Sequence, residues 1–137
     1  MNEVLSEKYQ TIKFADEVVN MFADILEQDE ILYSVFLYIG NVVNKQFQET
    51  TYMRGISINE IVENVVIDRR VKKTKGKSYS LEVERTNISR RSAEISVSTL
   101  SSMSLIYEKT MHPYKFLILT YRGQQVLIEL GKRKKSE

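Results

Sequence analysis

Chemistry-bearing side chains are densest at residues 87–106, NISRRSAEISVSTLSSMSLI. At helical spacing Arg91, Ile95, Ser98 and Ser102 share one face, with Ser92 and Thr99 on its flank. Small hydroxyls, a guanidinium and one exposed aliphatic side chain can donate, accept and make close apolar contact. They suit a helix laid against an anionic surface. Ala93, Val97 and Leu100 form the opposite stripe, Met103 marks its edge, and Leu105 and Ile106 follow it. Ser89 is placed to cap the first turn, and Arg90 and Arg91 then fall where the positive end of the helix dipole disfavours cations. A choice against the local rule points to function.

Covalent and metal chemistry find little material. The chain has no cysteine and one histidine, His112, so thiolate zinc sites, cysteine nucleophiles and disulfides are excluded, and no Asp-rich loop offers a carboxylate site. No GxGxxG, phosphate-binding loop or GxSxG elbow occurs. The expectation is a protein that is not an enzyme, with no metal, no cofactor and no evident small-molecule ligand.

The net charge of +2 conceals a strong division along the chain. Residues 1–66 hold 4 Lys or Arg against 11 Asp or Glu, and residues 67–137 hold 16 against 7, giving halves of −7 and +9. Such a basic half is the electrostatic footprint of a nucleic-acid binder. Six of its cations lie between Arg69 and Lys77 without an intervening acid. The amino-terminal stretch lacks a basic-then-apolar signal, and the longest nearly apolar run, residues 31–39, is far too short to span a bilayer, so a cytoplasmic protein without membrane association is expected.

The elements that must position the basic helix read as follows. Phe14, Val18, Phe22, Ile25 and Leu26 predict an amphipathic helix over 12–26. Ile31, Leu32, Val35, Phe36, Ile39, Val42, Val43 and Phe47 predict a second, central helix, continuous with the first or bent from it. Ser57 and Glu60 form a capping box before a short helix that buries Ile58, Ile61, Val62 and Val65. Tyr79, Leu81 and Val83 alternate with polar residues as in a half-exposed strand, so residues 66–73 and 78–84 pair as a hairpin around 74–76 or form a mobile loop. Residues 105–109 and 114–119 predict a second hairpin turning at 110–113. Thr120 caps a last helix, 121–130, stopped by Gly131 and followed by a solvated tail.

This order of elements resembles the winged helix-turn-helix domain of bacterial, plasmid or phage regulators. SRRSAEISVSTLSSMSLI looks like that family's recognition helix and first wing strand, and FLILTYRGQQVLIEL is similar to its second wing strand and closing helix. The resemblance covers residues 29–131. Residues 1–28 are then a helical extension, 67–86 a basic insertion between the second and third core helices, and 132–137 a basic tail. The fold expected is α+β, mainly α with a small β-hairpin. Two departures stand out: Ser104 where the family commonly has glycine, and about twenty residues where the family has a short turn.

The resemblance implies sequence-specific binding of double-stranded DNA in transcription regulation. Arg91, Ile95, Ser98 and Thr99 would meet base edges, and Arg90, Arg69, Arg70, Lys72, Lys73, Lys75, Lys77, Lys109 and Lys115 would meet phosphates, with His112 at the wing tip. The acidic amino-terminal helices would form a homodimer matching twofold half-sites. The alternative is a winged-helix adaptor or inhibitor that docks its basic surface on an acidic protein.

Overall fold

The computed structural model describes residues 1–136, and of Lys75 only the backbone. The chain folds as α1 (Glu3–Lys8), α2 (Asp16–Gln28), α3 (Glu30–Thr50), α4 (Ile58–Asn64), β1 (Val66–Lys75), β2 (Ser78–Asn87), α5 (Arg90–Ser102), β3 (Ile106–Met111), β4 (Tyr114–Leu119) and α6 (Tyr121–Lys135). This is an α+β arrangement of six helices and two antiparallel hairpins, β1–β2 and β3–β4. None of the helices is long and apolar enough to cross a membrane among the described residues.

The core is one cluster to which every long helix contributes. Phe36 and Ile39 of α3, Leu26 of α2, Ile61 of α4, Ala93 and Leu100 of α5, Leu117 of β4 and Val126 of α6 are all within 2% of complete burial. α3 lies centrally, touching α2, α4, α5, β4 and α6, as its broad apolar surface requires. Its Tyr33 and Tyr38 are half-buried against the cluster, whereas Phe47, expected inside, is exposed.

The first two long helices are separate. Asp29 leaves the helical conformation (φ −120°, ψ 99°) and its carboxylate accepts from the Leu32 amide at 3.1 Å, capping α3. α2 also starts later than its apolar spacing implies. The backbone of Phe14 is held by one side chain, Gln125, which accepts from its amide at 2.8 Å and donates to its carbonyl at 3.0 Å. Those groups are therefore taken before a helix can use them, and α2 buries Val19, Ala23 and Leu26 while Ile25 faces out.

Ile56 bridges antiparallel to Leu117, with paired amide–carbonyl bonds of 3.1 and 2.7 Å, adding a one-residue strand to β3–β4. Gly55 precedes it at φ 90°, where an added Cβ would stand 2.7 Å from the Leu117 carbonyl oxygen. The capping box at Ser57 is complete: Ser57 accepts from the Glu60 amide, and Glu60 accepts from the Ser57 amide.

Two carboxy-terminal readings need correction. β3 begins at Ile106 and runs to Met111, longer than expected at its far end. α6 does not stop at Gly131; it continues to Lys135, so residues 132–135 of the stretch read as a solvated tail are its last turn, and Glu137 lies outside the described residues. Arg133 holds that turn, bonding Asp24 at 2.7 Å, Glu27 at 3.1 Å and Glu129 at 3.2 Å. Charge-assisted ties to α2 act against the roughly 1 kcal/mol that glycine costs inside a helix.

At the other end of α6, Arg122 is 3% exposed and has no carboxylate partner among the described residues. Its guanidinium donates to the carbonyls of Tyr9 at 2.9 Å and Ile12 at 2.8 Å and to the Ser104 hydroxyl at 3.0 Å. Burial lowers its pKa from the ordinary arginine value. Ser104 is itself left-handed, at φ 62°.

Candidate nucleic-acid interface

α5 presents the face read from its sequence. Ala93, Val97 and Leu100 are buried, Arg91, Ile95, Ser98, Thr99 and Ser102 are exposed, and Ser89 caps the helix by accepting from the Ser92 amide at 3.2 Å. Ser96 is buried as well, which a polar residue type concealed. Arg91 has no hydrogen-bond or ion-pair partner among the described residues, so its five donors are free. Ile95 is 56% exposed, an aliphatic side chain offered to solvent at the centre of the face. The Thr99 hydroxyl donates back to the Ile95 carbonyl at 3.0 Å and keeps its acceptor capacity.

Arg90 serves the scaffold. It donates to the Asn59 side chain on α4 and pairs with Glu94 at 3.2 Å, tying the start of α5 to the start of α4. An open cleft of about 270 Å³ separates this junction from the turn of β3–β4, with Asn59 and Arg90 on one wall and Pro113, Tyr114 and Lys115 on the other. Lys115 and His112 are exposed there. Lys109 is drawn to Tyr52, whose hydroxyl accepts from its ammonium at 3.2 Å, and that bond raises its pKa. Arg54, which the sequence reading passed over, adds a cation beside this hairpin, stacked 5.4 Å from the Phe116 ring and paired with Glu60 at 3.0 Å.

The hairpin β1–β2 is longer than expected: ten residues per strand in continuous register from Val66 opposite Asn87 to Lys75 opposite Ser78. The turn is at Gly76 and Lys77, with Gly76 at φ 61°. The hairpin is rooted in the body. Asn87 donates to the carbonyls of Val62 and Glu63, both at 2.9 Å, closing the end of α4, and Ile67 is 6% exposed.

Strand alternation splits the run of cations. Arg69, Val71 and Lys73 point to one face with Glu82 and Glu84, and Arg70 and Lys72 point to the other with Leu81 and Val83. Lys73 lies 3.2 Å from Glu82 and 2.9 Å from Glu84, contacts that raise its pKa and neutralise its charge locally. The side chain of Lys75 is outside the described residues, and Lys77 is exposed in the turn. Tyr79, Leu81 and Val83 are 63–65% exposed, so the expectation of a half-buried strand fails: period two was read correctly, but no element among the described residues covers that face.

The chain matches no family model, no curated protein and no solved structure.

Proposed function

We propose that this chain is a winged helix-turn-helix protein that binds double-stranded DNA sequence-specifically, as a transcription regulator. In this reading α3, the Ile56 strand, α4 and α5 form the helix-turn-helix core, β3–β4 is the wing, and β1–β2 is a basic insertion in the turn. α5 enters the major groove, where Arg91 can grip a guanine edge bidentately and Ile95 can meet a thymine methyl. The observation that carries this is the outer face of α5: small and polar side chains around an Arg91 that has no partner among the described residues. A homodimer through the acidic amino-terminal helices would present two such faces to twofold half-sites. A cytoplasmic location accords with this role.

The exposed apolar stripe of β2 favours a second reading, an adaptor that docks on an acidic protein. Selection of binding sites from a random duplex library separates the two. A regulator yields a preferred site, and Arg91→Ala then costs about 1 to 3 kcal/mol on that site and little on scrambled DNA. Failure to enrich any site would leave the adaptor in its place, whereas equal loss on both DNAs would mean that α5 binds only as a basic surface and that specificity lies elsewhere.

A further inference from the structure

The β1–β2 ribbon carries more than charge. Its outward face combines Arg70 and Lys72 with Tyr79, Leu81 and Val83, whereas its opposite face joins Lys73 to Glu82 and Glu84. We propose that the outward face is a second DNA-contacting surface, lying along the duplex beside the segment entered by α5. This deepens the DNA-binding reading above and rests on it.

Three observations choose the occupant. Charge comes first: the cross-strand neighbours of Leu81 and Val83 are Lys72 and Arg70, so the partner must be anionic and yet offer apolar contact. Duplex DNA does both, through phosphates and through sugar edges and thymine methyls. A second copy of the same face would instead bring cations against cations. Reach comes second: ten residues per strand at roughly 3.3 Å each give about 33 Å, close to the 34–36 Å of one duplex turn. Rooting comes third: Ile88 donates to the Val65 carbonyl at 3.0 Å, and Ser89 next to it caps α5, so the ribbon base is fixed relative to Arg91. Lys72 also sits 4.2 Å over the Tyr79 ring, which orders its stem on this face.

The test uses the full chain and two duplexes, one holding only the selected site and one extended by a helical turn on each side. Arg70→Gln with Lys72→Gln should lower affinity for the long duplex about tenfold or more. The same pair should reduce the slope of log affinity against log salt by up to about two units, and change the short duplex little. Leu81→Thr with Val83→Thr should weaken the long duplex with the slope unchanged. Arg69→Gln with Lys73→Gln, on the opposite face, should cost less than about threefold. All six positions lie away from the buried core, and a melt of each variant checks folding. Hydroxyl-radical footprints of the Arg70/Lys72 variant should shorten on the ribbon side.

Equal losses from the two faces, or an unshortened footprint, would overturn the inference and leave the ribbon a diffuse charge. If the outward-face variants lose binding to phosphatidylserine vesicles but not to DNA, the face is a lipid surface and the inference is wrong. Should Arg91→Ala lose discrimination while the ribbon variants bind like the parent, the regulator reading stands and this inference alone falls. A parent protein with no affinity for DNA removes both.

Discussion

Arg133 reaches across 109 residues to Asp24, its guanidinium 2.7 Å from the carboxylate, and thereby fastens the end of α6 to α2. Glu27 and Glu129 share the same guanidinium, and these contacts raise its pKa. Asp24 is 70% exposed, so solvent discounts each pair. Arg133→Ala should cost about 1 kcal/mol in a thermal melt at low salt and clearly less at high salt. A cost independent of salt would show that packing of the side-chain stem, not charge, holds the helix end.

Ser104→Gly looks stabilising by dihedral angle and should prove the reverse. Relieving a left-handed serine returns about 1 kcal/mol, but removing its hydroxyl orphans a donor of the buried Arg122, at about 1 to 3 kcal/mol. The net expected is a loss of about 1 kcal/mol by denaturant titration. In an Arg122→Met background the same substitution should become stabilising, and a double-mutant cycle reads that reversal.

Leu100 is fully buried and Ser98 is exposed on the same helix. Leu100→Ala should lose about 2 to 5 kcal/mol through transfer and cavity terms, and Ser98→Ala less than about 0.5 kcal/mol. Reversed costs in chemical denaturation would mean that α5 faces the other way, taking every base-contact assignment with it.

Burial raises the Tyr107 phenol above its ordinary value of 10.0, with Lys109 opposing. The folded state then holds a proton that the unfolded state releases first. Stability from this source is complete below pH 10 and lost as pH climbs through the raised value. Burial of Tyr38 acts in the same direction. Tyr107→Phe should flatten the alkaline fall in melting temperature, and an unchanged fall would assign it to other groups.

For the proposed homodimer, removing residues 1–28 is no clean test, because Val19, Ala23 and Leu26 belong to the chain's own core. Met21 and Ile25, one helical turn apart and 49% and 44% exposed, are the apolar positions α2 leaves outward. Met21→Ser with Ile25→Ser should convert a dimer to a monomer by light scattering without lowering the melting temperature by more than a few degrees. A parent monomer at tens of micromolar would dispose of the dimer.

Local regularities were legible in the sequence. The capping box at Ser57, the serine cap of α5, and the division of α5 into a buried stripe and an exposed polar face all depend on residues within a turn or two of each other. Backbone geometry alone converts such spacings into structure. What tertiary structure decided were the questions whose answers lie on distant segments. Alternation at Tyr79, Leu81 and Val83 announces a strand but cannot say whether anything covers it. A run of six cations does not disclose that Glu82 and Glu84 neutralise Lys73 and leave Arg70 and Lys72 outward, because strand register assigns those partners. Gly131 ends a helix on propensity, yet Asp24 and Glu27, more than a hundred residues away, keep it helical. Arg122 reads as an exposed first-turn arginine until Tyr9 and Ile12 bring their carbonyls over it. Each turns on which distant segments meet, and local propensity, worth about 1 kcal/mol or less per residue, does not encode that.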